Sequence, residues 1–247
     1  MNTVDFQTAC QSVVNAVRSR EGIGTLGEKT LHAVLKLYVE PDTAFHEIKV
    51  GRYYADIAKG NTIIEIQTRG FDALRSKLAA FLDAGRQVTI VHPIAATKWL
   101  CWVDPETGEA TKRRKSPRRG RAQDIFPELY KIKPFLTHEN LSFCIVLLDL
   151  EEFRLLDGWS RDKKKGSTRY ERTPLSLTEE LRIAAPSDYE KLLPPGLPSP
   201  FSAKDFAKAA GVSPRCAQTA VHILHHVGAL ARAGKQKNAF LYDITPD

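Results

Sequence analysis

Apolar residues recur at helical spacing in two early stretches of the chain. In Val4–Arg20 they fall at Val4, Ala9, Val13, Val14 and Val17 and predict a first helix. Glu21-Gly22-Ile23-Gly24 breaks the pattern, and Leu26–Val39 resumes it with Leu31, Val34, Leu35 and Tyr38 on one stripe. Pro41-Asp42 ends that helix, and from Ala44 the period shortens to two. Ala44–Val50 reads as a strand and Gly51-Arg52 as a turn. The stretch Tyr53–Arg69, YYADIAKGNTIIEIQTR, reads as a tight hairpin, with strands Tyr53–Ala58 and Thr62–Gln67 about the turn Lys59-Gly60-Asn61. Alternation sends Ile64 and Ile66 to one face and Ile63, Glu65 and Gln67 to the other. Thr68–Ala84 is helical again, with Phe71, Leu74, Leu78, Phe81 and Leu82 as its apolar stripe and Arg69, Arg75 and Lys77 near its start or on its polar side. Gln87–Ile94 is a buried strand and Lys98–Val103 a further one. Asp124–Leu136 is helical and Ser142–Leu150 a strand. This order predicts an α/β fold, a mixed central sheet flanked by helices.

Five prolines fall between Pro186 and Pro200 and predict a linker, or an extended segment packed on the surface. The composition then changes. Ser202 is placed to cap a helix, Gly211-Val212 to turn, and Ser213 with Pro214 to open a second helix at its cap and first position. Cys216, Ala220, Ile223, Leu224 and Val227 can pack inward, while Arg215, Gln218, Thr219 and His222 can face outward. Ala229–Arg232 and Ala239–Ile244 flank GKQKN as a terminal hairpin, with Lys235 and Lys237 at its tip. The pattern resembles a winged helix-turn-helix, in which the second helix meets base edges in a major groove and the wing touches phosphates. Such modules also dock proteins. His225 and His226 suit the negative end of the helix better than a metal. The expected organisation is residues 1–185 as one domain, 186–200 as linker and 201–247 as the small C-terminal domain.

The hairpin carries the candidate chemistry. Asp56 on the first strand is the natural neighbour of Glu65 and Gln67 on the rim of the sheet, and oxygen ligands of this kind suit hard divalent cations. Aspartate and glutamate are depleted in strands, so facing carboxylates in an apolar hairpin call for a reason. Glu28 lies three and seven positions before Leu31 and Leu35 and so faces the same side, where a carboxylate needs a cation or donors; a first-turn glutamate favoured by the helix dipole is the plain alternative. A helix with Glu28, a hairpin with Asp56, then Glu65-x-Gln67 and an amphipathic helix resembles, over Leu26 to Ile94, the PD-(D/E)XK nuclease superfamily. Gln67 stands where many members have lysine; others carry glutamine.

The resemblance implies a restriction-endonuclease-like fold and a Mg²⁺- or Mn²⁺-dependent DNA endonuclease. Asp56, Glu65 and the Ile66 carbonyl would ligate the metal, with Glu28 holding a coordinated water or a second ion. Gln67 is an uncharged amide and can only orient the attacking water. The base is then a metal hydroxide, a substrate phosphate or a lysine from elsewhere; Lys49 and Lys77 both qualify. The alternative is a non-catalytic DNA-binding protein or transcriptional regulator with an inactive nuclease-like core. A plain protein-interaction module leaves the paired carboxylates without purpose.

Charge adds a partner. The net charge is +7, a bias toward polyanions, and seven of the ten residues Lys112–Arg121 are basic. Lys112, Arg113, Arg114, Lys115, Arg118, Arg119 and Arg121 read as a solvated loop and as a candidate arm releasing counterions from DNA, with Arg69 beside the hairpin. Leu155–Arg172 reads as a second basic loop. Cys10, Cys101, Cys144 and Cys216 are far apart and form no CxxC pair, so reduced, buried thiols in a cytoplasm are expected. The N-terminus lacks the basic-then-apolar pattern of a secretion signal, and no apolar run approaches the ~20 residues that span a membrane. A homodimer suits double-strand cutting, though no residue specifies one.

Overall fold

A computed structural model describes residues 3–19, 30–158 and 166–245. The two N-terminal stripes form helices: α1 spans Thr3–Ser19 and α2 spans Thr30–Val39. Leu31, Val34, Leu35 and Tyr38 are all buried, and the Phe6 ring of α1 meets Tyr38 edge-on at 5.2 Å. The expected start of the second helix at Leu26, and Glu28 with it, lies outside the described residues.

Strands β1 (His46–Val50), β2 (Tyr53–Lys59) and β3 (Thr62–Ile66) follow. β2 and β3 pair antiparallel, Ile57 across from Ile64 and Lys59 across from Thr62. The turn is therefore only Gly60-Asn61, and Gly60 takes the positive φ of 58° that a two-residue hairpin demands. A 3-10 turn, Phe71–Leu74, precedes helix α3 (Arg75–Asp83). The helix starts later than its apolar stripe predicts because Gly70 is left-handed (φ 73°) and the Gln67 side chain binds the backbone of Arg69 and Gly70.

β4 runs unbroken over Gln87–Val103 and lies parallel to β3, with Glu65 beside Ile90 and Ile66 beside Val91. The sequence predicts two strands here. Pro93 forfeits one N–H but tolerates extended backbone, so the strand passes through it. β5 (Arg114–Lys115) pairs antiparallel with β4, α4 spans Phe126–Lys131, and β6 (Leu141–Gly158) and β7 (Gly166–Ile183) are long. Hydrogen bonding orders the mixed sheet β1-β2-β3-β4-β6-β7, with β5 on β4. The C-terminal segment forms β8 (Phe201–Ser202), α5 (Ala203–Ala210), α6 (Pro214–His226), β9 (Leu230–Gln236) and β10 (Ala239–Ile244), the strands in the order β8-β10-β9. Ser202 and Asp205 form a reciprocal capping box at α5, and Ser213 Oγ accepts the Cys216 N–H at α6, as the capping pattern predicts.

The chain clusters into two compact units. The second unit holds Glu47–Ile94, Arg121–Ile145 and Glu180–Asp247, so the hairpin and the C-terminal helices belong together. Within it Phe126 meets Phe206 at 6.1 Å, and Cys216 Sγ hydrogen bonds the Gln123 carbonyl at 3.5 Å. The proline-rich stretch contributes buried Tyr189 and Leu192 from a 3-10 segment, Pro186–Leu192. The Tyr189 hydroxyl donates to the Leu136 carbonyl at 3.2 Å.

The first unit holds Met1–His46, Ala95–Gly120 and Val146–Glu179. Its polar interior centres on Glu152 of β6, which is fully buried. Arg154 Nε lies 2.8 Å from one carboxylate oxygen; Lys98 Nζ, Arg169 Nε and Arg172 Nε lie 3.5, 3.3 and 3.1 Å from the other. Residues 166–172, read from sequence as loop, are strand. Their arginines look solvent-seeking in the sequence, but a carboxylate on the neighbouring strand partly neutralises them. Among the described residues the four cysteines are buried and form no disulfide, and no helix is long and apolar enough to cross a membrane.

Burial raises the Glu152 pKa, but Arg172, Lys98, Arg154 and Arg169 outweigh it and hold the carboxyl at about 2. Removing one partner of such a buried cluster costs about 3–5 kcal/mol. Glu152→Gln is expected to lose about that much stability at neutral pH in urea unfolding. A depressed folded pKa stabilises fully above the unfolded value near 4.5 and is lost as pH falls toward about 2. The wild-type and variant curves should therefore converge in acid. A gap that persists unchanged there would assign the effect to packing instead.

Candidate functional site

The β2–β3 register, continued past Ile57 and Ile64, sets Asp56 across from Glu65. Here a side chain replaces the backbone in the ladder: Asp56 Oδ2 accepts the Ile66 N–H at 2.7 Å. Helix α3 covers this face. Lys77 Nζ reaches Glu65 Oε2 at 2.6 Å, and Leu74, Leu78, Phe81, Val88 and Ile90 complete the surroundings. The sequence places Glu65 on an open rim; in the structure it is only 4% exposed. The reason is Ile63, which shares the Glu65 face and needs the apolar stripe of α3. The strand is apolar on both faces, and so both are buried.

Burial is the largest influence on Glu65 and raises its pKa. The Asp56 charge adds to it, while the hydrogen bond and charge of Lys77 pull it back; the outcome is about 7. Glu65 Oε1 is buried without a hydrogen-bond partner, a condition that costs about 1–3 kcal/mol. A carboxyl half-ionised at neutral pH, an unsatisfied oxygen and a second carboxylate across the ladder are oxygen donors of the kind a hard divalent cation takes; Lys77 already holds Oε2, and the other surrounding side chains are apolar. Among the described residues no group of three or more His, Cys, Asp or Glu side chains is arranged for a metal. Glu28, the expected third carboxylate, lies outside the described residues.

Gln67 turns away from the carboxylates. Its Nε2 donates to the Arg69 carbonyl at 2.6 Å and to the Gly70 carbonyl at 3.3 Å. The Gln67 carbonyl accepts from His92 Nδ1 at 2.6 Å, and the His92 ring stands edge-on to Phe71 at 5.2 Å. Of the two candidate lysines it is Lys77 that meets Glu65; it could not be chosen over Lys49 because the hairpin pattern does not say which helix face lies against it. His92 was missed outright. The available signal was a lone imidazole inside the apolar run QVTIVHPI. At Ile66 the N–H is committed to Asp56.

The basic positions expected to touch nucleic acid fall into three groups. Arg69, Lys112, Arg113, Arg114, Lys115, Arg118 and Arg119 are exposed. Two of them, Arg114 and Lys115, form β5, and Arg113 and Lys115 lie 5.6 and 5.5 Å from the Trp99 ring centre, so part of the expected loop is ordered on the sheet. Arg121 is spent on structure: its guanidinium donates to the Ala210 carbonyl and occupies the space a side chain at Gly211 would need. On α6, Arg215, Gln218 and His222 are exposed along one stripe, while Thr219 is half-buried with its hydroxyl on the Arg215 carbonyl at 3.0 Å. His222 Nε2 lies 3.0 Å from Lys133 Nζ and its ring 5.7 Å from Tyr130. Burial first and then Lys133 lower its pKa, so the neutral ring accepts from the ammonium. Lys235 and Lys237 are exposed on the β9–β10 hairpin, Lys235 over the Phe240 ring at 4.5 Å.

Two substitutions should move the Glu65 titration in opposite directions, read by carboxyl carbon NMR. Asp56→Asn removes a like charge and should lower the Glu65 pKa from about 7; Lys77→Met removes the compensating ammonium and should raise it. No movement in either variant would show that the three groups are uncoupled.

A curated protein of Treponema pallidum (strain Nichols), described as an uncharacterized protein, is 28% identical over 231 residues, covering 91% of this chain and 88% of its own. No solved structure matches. Residues 29–184 match the family described as Domain of unknown function (DUF8091), a span that holds Asp56, Glu65, Lys77 and the cluster about Glu152 and stops short of α5 and α6. The chain belongs to this DUF8091 family.

Proposed function

We propose that this protein is a metal-dependent DNA endonuclease of the PD-(D/E)XK kind, with residues 201–247 acting as a winged-helix module on duplex DNA. The observation that carries the reading is Glu65: a strand carboxylate facing Asp56, buried, with one oxygen on Lys77 and the other unsatisfied. The order of elements supports it. Helix α2, the antiparallel strands of the hairpin, helix α3 and the parallel strand β4 follow one another as the resemblance implies. Lys77 supports it further, since it brings to Glu65 the ammonium that the Gln67 position lacks.

Asp56 and Glu65 would hold Mg²⁺ or Mn²⁺. When bound, the ion lowers the pKa of a water and offsets charge on the scissile phosphate. The residues prepare the site in three ways. Lys77 fixes Glu65 Oε2, so the proton that Glu65 carries below about pH 7 sits on Oε1. Asp56 is aimed by the Ile66 N–H. His92 and the Gln67 amide hold the chain after β3, which keeps the end of the strand in place. The exposed Arg69, the Lys112–Arg119 segment, the α6 stripe and the β9–β10 tip supply cations for the DNA backbone. One observation favours a second reading, a DNA-binding regulator without cleavage: the Gln67 amide is committed to the loop and is not free to orient a water.

Nicking of supercoiled plasmid with Mg²⁺ or Mn²⁺ tests the reading. Wild type should cleave, and Glu65→Ala and Asp56→Ala should each lose several kcal/mol of stabilisation, a hundredfold or more in rate. Cation binding displaces the Glu65 proton, so activity should climb with pH and level off above about 7. Cleavage by the Glu65→Ala variant at the wild-type rate would refute the site; DNA binding by the wild type without cleavage would favour the regulator.

A further inference from the structure

The cluster about Glu152 contains far more positive charge than its structural role requires. One carboxylate faces four cations, Lys98, Arg154, Arg169 and Arg172. A carboxylate offers about four lone-pair sites, whereas three guanidinium groups and an ammonium carry about eighteen N–H donors. Glu152 therefore orients the four side chains and neutralises them only in part. Mutual repulsion persists: burial first, and then Arg172, Arg154 and Arg169, lower the Lys98 pKa against the pull of Glu152. The carboxylate is fully buried, but the four cationic side chains are 21–33% exposed, so part of each reaches solvent.

The cations come from three neighbouring strands, β4, β6 and β7. Their side chains reach from separate strands to one carboxylate, so the contacting nitrogens all lie within 3.5 Å of its two oxygens. The β4–β5 register adds a fifth cation, since Arg114 pairs with Leu100 and so lies on the Lys98 face of β4. A duplex strand turns as it rises about 3.4 Å per phosphate, which sets successive phosphates about 7 Å apart, so the platform with Arg114 can meet one or two of them.

We infer that Lys98, Arg154, Arg169 and Arg172, arranged by Glu152, form a binding platform for the phosphate backbone of a nucleic acid. The platform deepens the nucleic-acid reading above and rests on it for the identity of the polyanion. Glu152 is a positioning residue, and no metal is required for phosphate binding there. The platform carries no base-reading group, so it contributes affinity and register, not sequence preference.

Binding of the full chain to a short mixed-sequence duplex, followed by fluorescence anisotropy in EDTA between about 50 and 200 mM KCl, tests the platform. Arg154→Gln and Arg169→Gln should each weaken binding several-fold at low salt and reduce the slope of log K against log salt by about 0.9 for each phosphate no longer neutralised. Unchanged slopes in both variants, each folded at the assay temperature by circular dichroism, would overturn the inference. So would displacement of the duplex by inorganic pyrophosphate at the same concentration in wild type and variants. A measurement on the wild type covers the case of a variant that does not fold. Bound duplex should protect Arg154, Arg169 and Arg172 from phenylglyoxal at low salt and cease to protect them at high salt; equal modification with and without duplex overturns the platform. The outcome is separable from cleavage. Binding through the cluster without plasmid nicking would sink hydrolysis alone, whereas nicking with normal binding by the Arg154 and Arg169 variants would sink the platform alone.

Discussion

The parallel pairing of β3 with β4 is the constraint from which the hairpin site follows. Parallel neighbours cannot be joined by a tight turn, so the chain must cross over, and α3 is that crossover. Once α3 lies on the sheet, its apolar stripe covers Ile63, and Glu65, two residues on, is buried with it. Lys77 then reaches Glu65 from the helix, and Asp56 approaches from the antiparallel side. The high pKa of Glu65 is a consequence of topology: the same helix that desolvates the carboxyl supplies the ammonium that offsets the cost.

The two buried glutamates make an instructive contrast. Glu65 has the Lys77 ammonium and a neighbouring carboxylate, and burial pushes it up to about 7. Glu152 has four cations, and they overcome burial and hold it at about 2. The number of opposite charges within reach decides which effect wins. Glu65 thus changes charge near neutral pH, while Glu152 stays ionised and organises positive charge around itself.

Part of this was legible in the residues. Alternation across Tyr53–Gln67 assigned Ile63, Glu65 and Gln67 to a common face; the pairing agrees for Ile63 and Glu65, but β3 ends at Ile66 and Gln67 turns away to the following loop. Ser202, Gly211, Ser213 and Pro214 marked the ends of α5 and α6, because capping is chemistry within four or five residues. The α2 stripe was legible for the same reason of period. What failed was long-range. Arg121 reads as a member of a basic arm, yet its guanidinium ends helix α5, 89 positions away. Arg169 and Arg172 read as loop because nothing near them in sequence accounts for their charge; the carboxylate they meet lies on another strand.

The sequence by itself therefore determined the local elements, the face on which the hairpin carboxylates lie, and an excess of positive charge. These depend on periods of two and 3.6 residues and on caps, all of which operate over a few positions. Only the tertiary structure decided that Glu65 is buried under α3, that Lys77 is its partner, and that four scattered cations converge on Glu152. Desolvation and ion pairing depend on which element covers which face, and that choice is made by packing among segments far apart in the chain.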